Sequence, residues 1–121
     1  LAQNDLSGAK EKLKNYADFL TDEQIEDCLV QMADKSVKDE AERYLKNCLK
    51  SPSSYQRQSI SNFIPFKRDD GSYGEMVTIT YDAANSFGAQ LRGTSTITVT
   101  FTVDVDNCNF TIKDSDGFIM N

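Results

Sequence analysis

The chain contains no histidine, and that absence sets the first limit on what its side chains can do. No Ser–His or Cys–His pair can activate a nucleophile, and no imidazole titrates near neutrality. Cys28, Cys48 and Cys108 are scattered and make a poor ligand set for structural zinc without histidine. None of the 6 glycines lies in a G-x-x-x-x-G-K phosphate loop. Ser7-Gly-Ala-Lys10 fits the bare S-x-x-K spacing of some acyl-transfer enzymes, but the companion motifs are missing, and a serine at a helix start reads as an N-cap. Asp104-x-Asp106 and Asp114-x-Asp116-Gly117 alternate acids as calcium loops do. Neither carries the bidentate glutamate that closes such a loop, so both read as turn formers. Carboxylates abound, which leaves a small hydrolase of the two-carboxylate kind as a minor reading. The expectation is a protein with no catalytic residue, no metal and no cofactor.

One segment combines charge, turn chemistry and an exposed-or-buried choice. Asp82-Ala-Ala-Asn85-Ser86-Phe87-Gly88 separates two β-patterned runs. Asn85 and Ser86 tolerate turn dihedrals, and Gly88 allows a positive φ as the chain re-enters the sheet. A turn centred near residue 87 sets Asp82 opposite Arg92, an opposite-charge pair that helps fix register. Phe87 is a large apolar residue at a turn. It is expected to fold back on the helices as an anchor, the alternative being an exposed contact.

The elements that must position these residues follow from periodicity. Leu6, Ala9, Leu13, Tyr16, Ala17 and Leu20 repeat as one buried helix face, with Ser7 as its cap. Thr21-Asp-Glu-Gln24 is a capping box and marks a corner. A second helix then buries Ile25, Cys28, Leu29, Met32 and Ala33. Ser36, with Asp39 and Glu40 after it, starts a third that buries Val37, Ala41, Tyr44, Leu45, Cys48 and Leu49 and stops at Ser51-Pro52. Pro52 can open one further short turn. From Ser59 the period falls to 2, and Ile60–Lys67, Met76–Asp82, Ala89–Val105 and Cys108–Lys113 read as strands joined by short turns. The predicted fold is α+β in one domain over residues 1–121: helices in 5–50, packed on one face of an antiparallel meander of three to four strands in 59–113.

Composition narrows the partners. Residues 1–50 hold 8 Lys/Arg against 11 Asp/Glu and the remainder 5 against 8, so both halves are acidic by 3 charges. Without a basic footprint, nucleic acid is not expected as a partner. No apolar run is long enough to cross a membrane. Leu1-Ala2 reads as the tail of a signal-peptide cleavage site, and equally as a trimmed end; a lipid anchor ahead of residue 1 stays open. Asn109-Phe-Thr111 is a glycosylation sequon expected in an edge strand. If helices two and three form a hairpin about residue 35, Cys28 and Cys48 differ in height by roughly 9 Å, too far for a bridge. Cys48–Cys108 is then the better-placed pair, set against the reading with no bridge at all.

Two motifs carry a resemblance. Leu49-Lys-Ser51-Pro52-Ser-Ser54, followed by Tyr81-Asp82-Ala-Ala-Asn85-Ser86-Phe87-Gly88-Ala-Gln-Leu-Arg92, resembles a group of small bacterial and phage-encoded proteins with an LKSPS segment and a later DAxNSFGAxxR segment. Many members carry a cysteine after the arginine where this chain has Val103, which departs from any shared disulfide. The resemblance implies a periplasmic or secreted location in the bacterial envelope more than it implies an activity. The expected function is a non-enzymatic module that binds another protein, in one version an inhibitor or immunity protein. The alternative is an assembly accessory, a chaperone or pilot protein, holding an apolar segment between helices and sheet.

Overall fold

The computed structural model of the chain describes residues 2–118. It is an α+β fold with two α-helices and an antiparallel five-stranded sheet. Helix α1 spans Ala2–Tyr16 and runs into a 3-10 turn, Ala17–Phe19; helix α2 spans Asp22–Cys48. A second 3-10 turn, Pro52–Ser54, leads to β1 (Gln56–Asn62), β2 (Phe66–Lys67), β3 (Tyr73–Ala84), β4 (Gln90–Asp104) and β5 (Asn109–Phe118). The sheet order is β1-β3-β4-β5, with β2 beside β1 on the same edge of β3. β1 and β2 lie along that edge where a single strand, Ile60–Lys67, was expected; β1 starts earlier, at Gln56, and the break before Pro65 makes the sheet five-stranded rather than three- to four-stranded. Proline has no N–H to give the ladder and is tolerated at such a break.

The capping box forms as expected. The Thr21 hydroxyl accepts from the Gln24 amide at 3.1 Å, and the Gln24 side chain accepts from the Thr21 amide at 2.9 Å. The corner expected near residue 35 does not form, and the predicted second and third helices are one. No glycine or proline interrupts Asp34-Lys-Ser36-Val37, and the apolar row Ile25, Leu29, Ala33, Val37, Ala41, Leu45 passes through that stretch unbroken. The cap signal at Ser36 loses to a continuous buried face. At 27 residues the helix is about 40 Å long, and a row of i+4 residues slants across its axis. The slanting row lets one helix cover a twisted sheet.

α1 departs from expectation in two places. It begins before Ser7, which is inside the helix rather than its cap, and Tyr16 is exposed. Leu13 is buried as expected; the side chains of Leu6, Ala9 and Ala17 lie outside the described residues.

The core lies between α2 and one face of the sheet. Odd-numbered residues of β3 and β4 (Val77, Ile79, Tyr81, Ile97, Val99, Phe101) are buried and pack against Ala33, Val37, Ala41 and Leu45. The two alanines bring helix and strands close. A smaller cluster joins Leu13, Ile25, Leu29 and Cys108 at the other end of α2. Even-numbered residues of β3 and β4 point away from α2. Thr78 and Thr96, and Thr80 and Thr94, form cross-strand hydroxyl pairs at 3.1 and 3.3 Å on that face. This is the alternation of an antiparallel sheet with one covered face.

Candidate functional site

The β3–β4 hairpin is built by the residues that marked it in the sequence. Asp82 sits opposite Arg92 in the ladder. The Arg92 guanidinium donates to both oxygens of Asp82, at 2.8 and 3.0 Å, and holds that carboxyl below the ordinary carboxylate range. The Asn85 side chain accepts from the amides of Phe87 and Ala89 at 2.9 and 3.0 Å, while its backbone carbonyl accepts from Gly88. Gly88 has φ 83°, a conformation that costs an L residue energy and glycine none. The loop is thus closed by its own hydrogen bonds.

The Ser51-Pro52-Ser-Ser54 segment docks against this hairpin. The Ser54 hydroxyl donates to the Ser51 carbonyl at 2.6 Å and accepts from the Ala84 amide at 2.7 Å. The Gln90 side chain donates to the Ser54 carbonyl at 3.1 Å. Residues 30 or more positions apart in the chain are joined through one serine. Gln58 of β1 adds a hydrogen bond to Asp82 at 3.0 Å. Below them Tyr55 packs on Tyr81, with ring centroids 6.0 Å apart, and its hydroxyl donates to Glu42 of α2 at 2.6 Å.

Phe87 does not anchor the core. It is 93% exposed at the tip of this hydrogen-bonded frame, and Ser86 and Leu91 beside it are exposed as well. The expectation that it folds back on the helices is corrected. Residues 86–91 are all exposed, so the turn lies outside the core. The loop therefore presents a bare phenyl ring on a hydrogen-bonded backbone.

Cys48 and Cys108 are not bridged; all three thiols are free. Cys108 packs with Leu29 near the start of α2, whereas Cys48 is the last residue of α2, 19 residues or about 28 Å along the same helix. Cys28 and Cys48 are exposed, not on the buried face, because the apolar row passes through Leu29 and Leu45 instead. Asp114-x-Asp116-Gly117, expected as a turn, lies instead inside strand β5, with Asp114 and Asp116 opposite Thr100 and Thr98 of β4. Asp104 accepts from the Asn107 amide and side chain across the β4–β5 turn. Asn109 opens the outer strand β5, and its side chain accepts from Lys10 at 2.8 Å. Among the described residues no group of three or more acidic or cysteine side chains could hold a metal ion.

One group was not singled out by sequence. Glu75 of β3 is fully buried. The Asn62 side-chain amide donates both to its Oε2, at 2.7 Å, and to Asp34 Oδ1 of α2, at 2.6 Å. Lys38 pairs with the other Asp34 oxygen at 3.1 Å. Burial first, and the neighbouring Asp34 second, push the Glu75 carboxyl up to about 7. Its Oε1 has no hydrogen-bond partner. An acid at an inward position of an apolar strand was the available signal: Glu75 shares the odd-numbered face with Val77 and Ile79. A second unforeseen feature is the break in the edge strand, where Phe63 and Ile64 are 60% and 89% exposed. Comparison of the chain with protein-family models, with curated proteins and with solved structures gave no match.

Proposed function

We propose that this protein is a non-enzymatic binding module of the bacterial envelope, periplasmic or secreted, whose β3–β4 hairpin tip engages another protein. Exposed Phe87 carries this reading: its backbone is held by Asn85, Gly88 and the Asp82–Arg92 pair, so the loop that presents the ring loses little backbone freedom on binding. Arg92 and Asp82 flank it with a polar rim, the arrangement found around interface hot spots. The acidic net charge of −6 favours a basic partner, as an inhibitor or immunity protein would require.

The test is a photo-crosslinking amino acid at position 87, expressed in the source cell. A single stoichiometric adduct, lost when Phe87→Ser is introduced beside a crosslinker at Leu91, supports the reading. Equal adducts with and without Phe87, or none, overturn it. The second reading, an assembly accessory that takes an apolar segment, draws support from exposed Phe63 and Ile64 at the interrupted edge strand. Unpaired strand edges accept added strands. Crosslinking from position 64 instead of 87 would favour it.

A further inference from the structure

The charge of −6 is not spread evenly in space. Residues 44–58 and 81–92 meet at the hairpin end of the molecule. The Ser54 hydroxyl joins them at Ala84, the Gln90 side chain at Ser54, and the ladder at Gln56 and Asp82. These stretches hold Lys46, Lys50, Arg57 and Arg92 against one acid, Asp82. Glu42 of α2, which pairs with Arg57 at 3.6 Å, is the second acid at this end. Four cations against two acids leave the hairpin end positive by 2, so the rest of a chain of −6 is negative by 8. Their depth strengthens the sign. The Arg92 side chain is 63% exposed and its partner Asp82 19%, and Arg57 and Glu42 follow the same order. The cations face outward and the carboxylates lie behind them. Exposed Lys46 rests over the Tyr55 ring at 5.2 Å and exposed Lys50 follows the end of α2; neither is paired with an acid among the described residues. Arg57 shares the helix-covered side of the sheet with Tyr81, and Arg92 the open side with Asp82, so the cations flank the hairpin base on both sides.

Phe87 stands three residues beyond Ala84, at most about 10 Å past the Ser54 contact at the rise of a strand. A recess that takes the ring and covers exposed Leu91 also reaches Arg92 beside it. We infer that the partner's recess for Phe87 is apolar at its floor and lined at its lip by carboxylates, which face Lys46, Lys50, Arg57 and Arg92. This rests on the reading that the hairpin tip binds a protein, and it adds the chemistry of the contact face. A basic lip would set cation against cation at the one place where the two surfaces must close. The acidic remainder and the basic tip act at different distances. The remainder steers a partner of opposite overall charge during approach, while the cations around the ring select the patch on it at contact. A basic protein with an acidic cleft satisfies both.

The experiment captures the partner through the photo-crosslinking amino acid at position 87 and identifies the crosslinked peptide. Binding of the purified pair is then measured at about 0.1 M and about 1 M salt, where charges are screened beyond about 10 Å and about 3 Å. The Lys50→Glu, Arg57→Glu double variant is expected to bind about tenfold more weakly than wild type at the lower salt, with most of that difference gone at the higher. Arg57→Glu sets a second acid beside Glu42, so Lys46→Glu with Lys50→Glu is the second variant; these lysines are in no ion pair among the described residues, and the same loss is expected. Changing an acid next to the crosslinked peptide to lysine should restore binding to the second variant. Unchanged or tighter binding of both double variants overturns the acidic lip, while the adduct at position 87 leaves the hairpin reading standing. No adduct at position 87 overturns both. Vesicles of phosphatidylglycerol that bind wild type and not Phe87→Ser also overturn the proposal, in favour of a membrane surface.

Discussion

Replacing Glu75 by glutamine is expected to remove most of a pH dependence that is built into the interface between α2 and β3. In the folded chain the Glu75 carboxyl is pushed up to about 7 from an ordinary value of 4.5, chiefly by burial and then by Asp34. A carboxyl that holds its proton more tightly when folded stabilises the fold below its unfolded value. That contribution is lost as pH rises from about 4.5 through about 7, and above that the full cost of a buried second anion remains. At about 1.4 kcal/mol per pH unit, the interval of 2.5 between 4.5 and about 7 corresponds to about 3 kcal/mol. Glutamine has nearly the same shape and cannot ionise, and its amide can donate to Asp34 where the protonated acid did. Carboxyls with lowered values, such as Glu26, Glu40 and Asp82, work in the opposite direction, but they are common to both proteins and cancel in the difference. The assay is urea unfolding of both proteins at intervals from pH 4.5 to 8.5. With a slope of about 1–2 kcal/mol per molar, the midpoint of Glu75→Gln should gain about 1.5–3 M on wild type across that range. A difference between the two that stays constant with pH would refute the argument that Glu75 is folded in its protonated form.

Ser54→Ala is expected to cost about 1 kcal/mol and to speed hydrogen exchange at the Ala84 amide, because that half-buried N–H loses its acceptor. If exchange at Ala84 is unchanged, Ser54 does not tie the Ser51–Ser54 turn to the hairpin. Thiol labelling of the native chain should modify Cys28 and Cys48 quickly and Cys108 only after unfolding, since Cys108 is 4% exposed within the Leu13, Ile25 and Leu29 cluster. Equal rates for all three would place Cys108 outside that cluster.

Much of this architecture is legible locally. The change of period near residue 59, the capping box at Thr21–Gln24 and the Asp82/Arg92 register each depend on neighbouring residues or on one short turn, so a linear reading reaches them. The continuous α2 was harder to read, because Ser36 with acids after it has the local signature of a helix start. Only the unbroken buried row from Ile25 to Leu45, seated on a single sheet face, decides against it. The cysteine pairing failed for the same reason: it rested on a hairpin of helices that does not exist.

The hairpin site divides along the same line. Asn85, Gly88 and the charged pair could be assigned from sequence because turn dihedrals and cross-strand distances are properties of a few consecutive residues. The direction of Phe87 could not, since apolarity argues for burial and only the packing around the turn says whether anything is there to bury against. The joining of Ser54 to Ala84, and of Glu75 to Asp34 through Asn62, brings together groups 13 to 41 positions apart. The sequence by itself determined an acidic α+β chain without histidine, its strand register at Asp82 and Arg92, and the turn that displays Phe87. The tertiary structure alone decided that Phe87 faces solvent and that Glu75 is sealed next to a second carboxylate, because exposure and desolvation are set by what packs around a residue and not by its neighbours in the chain.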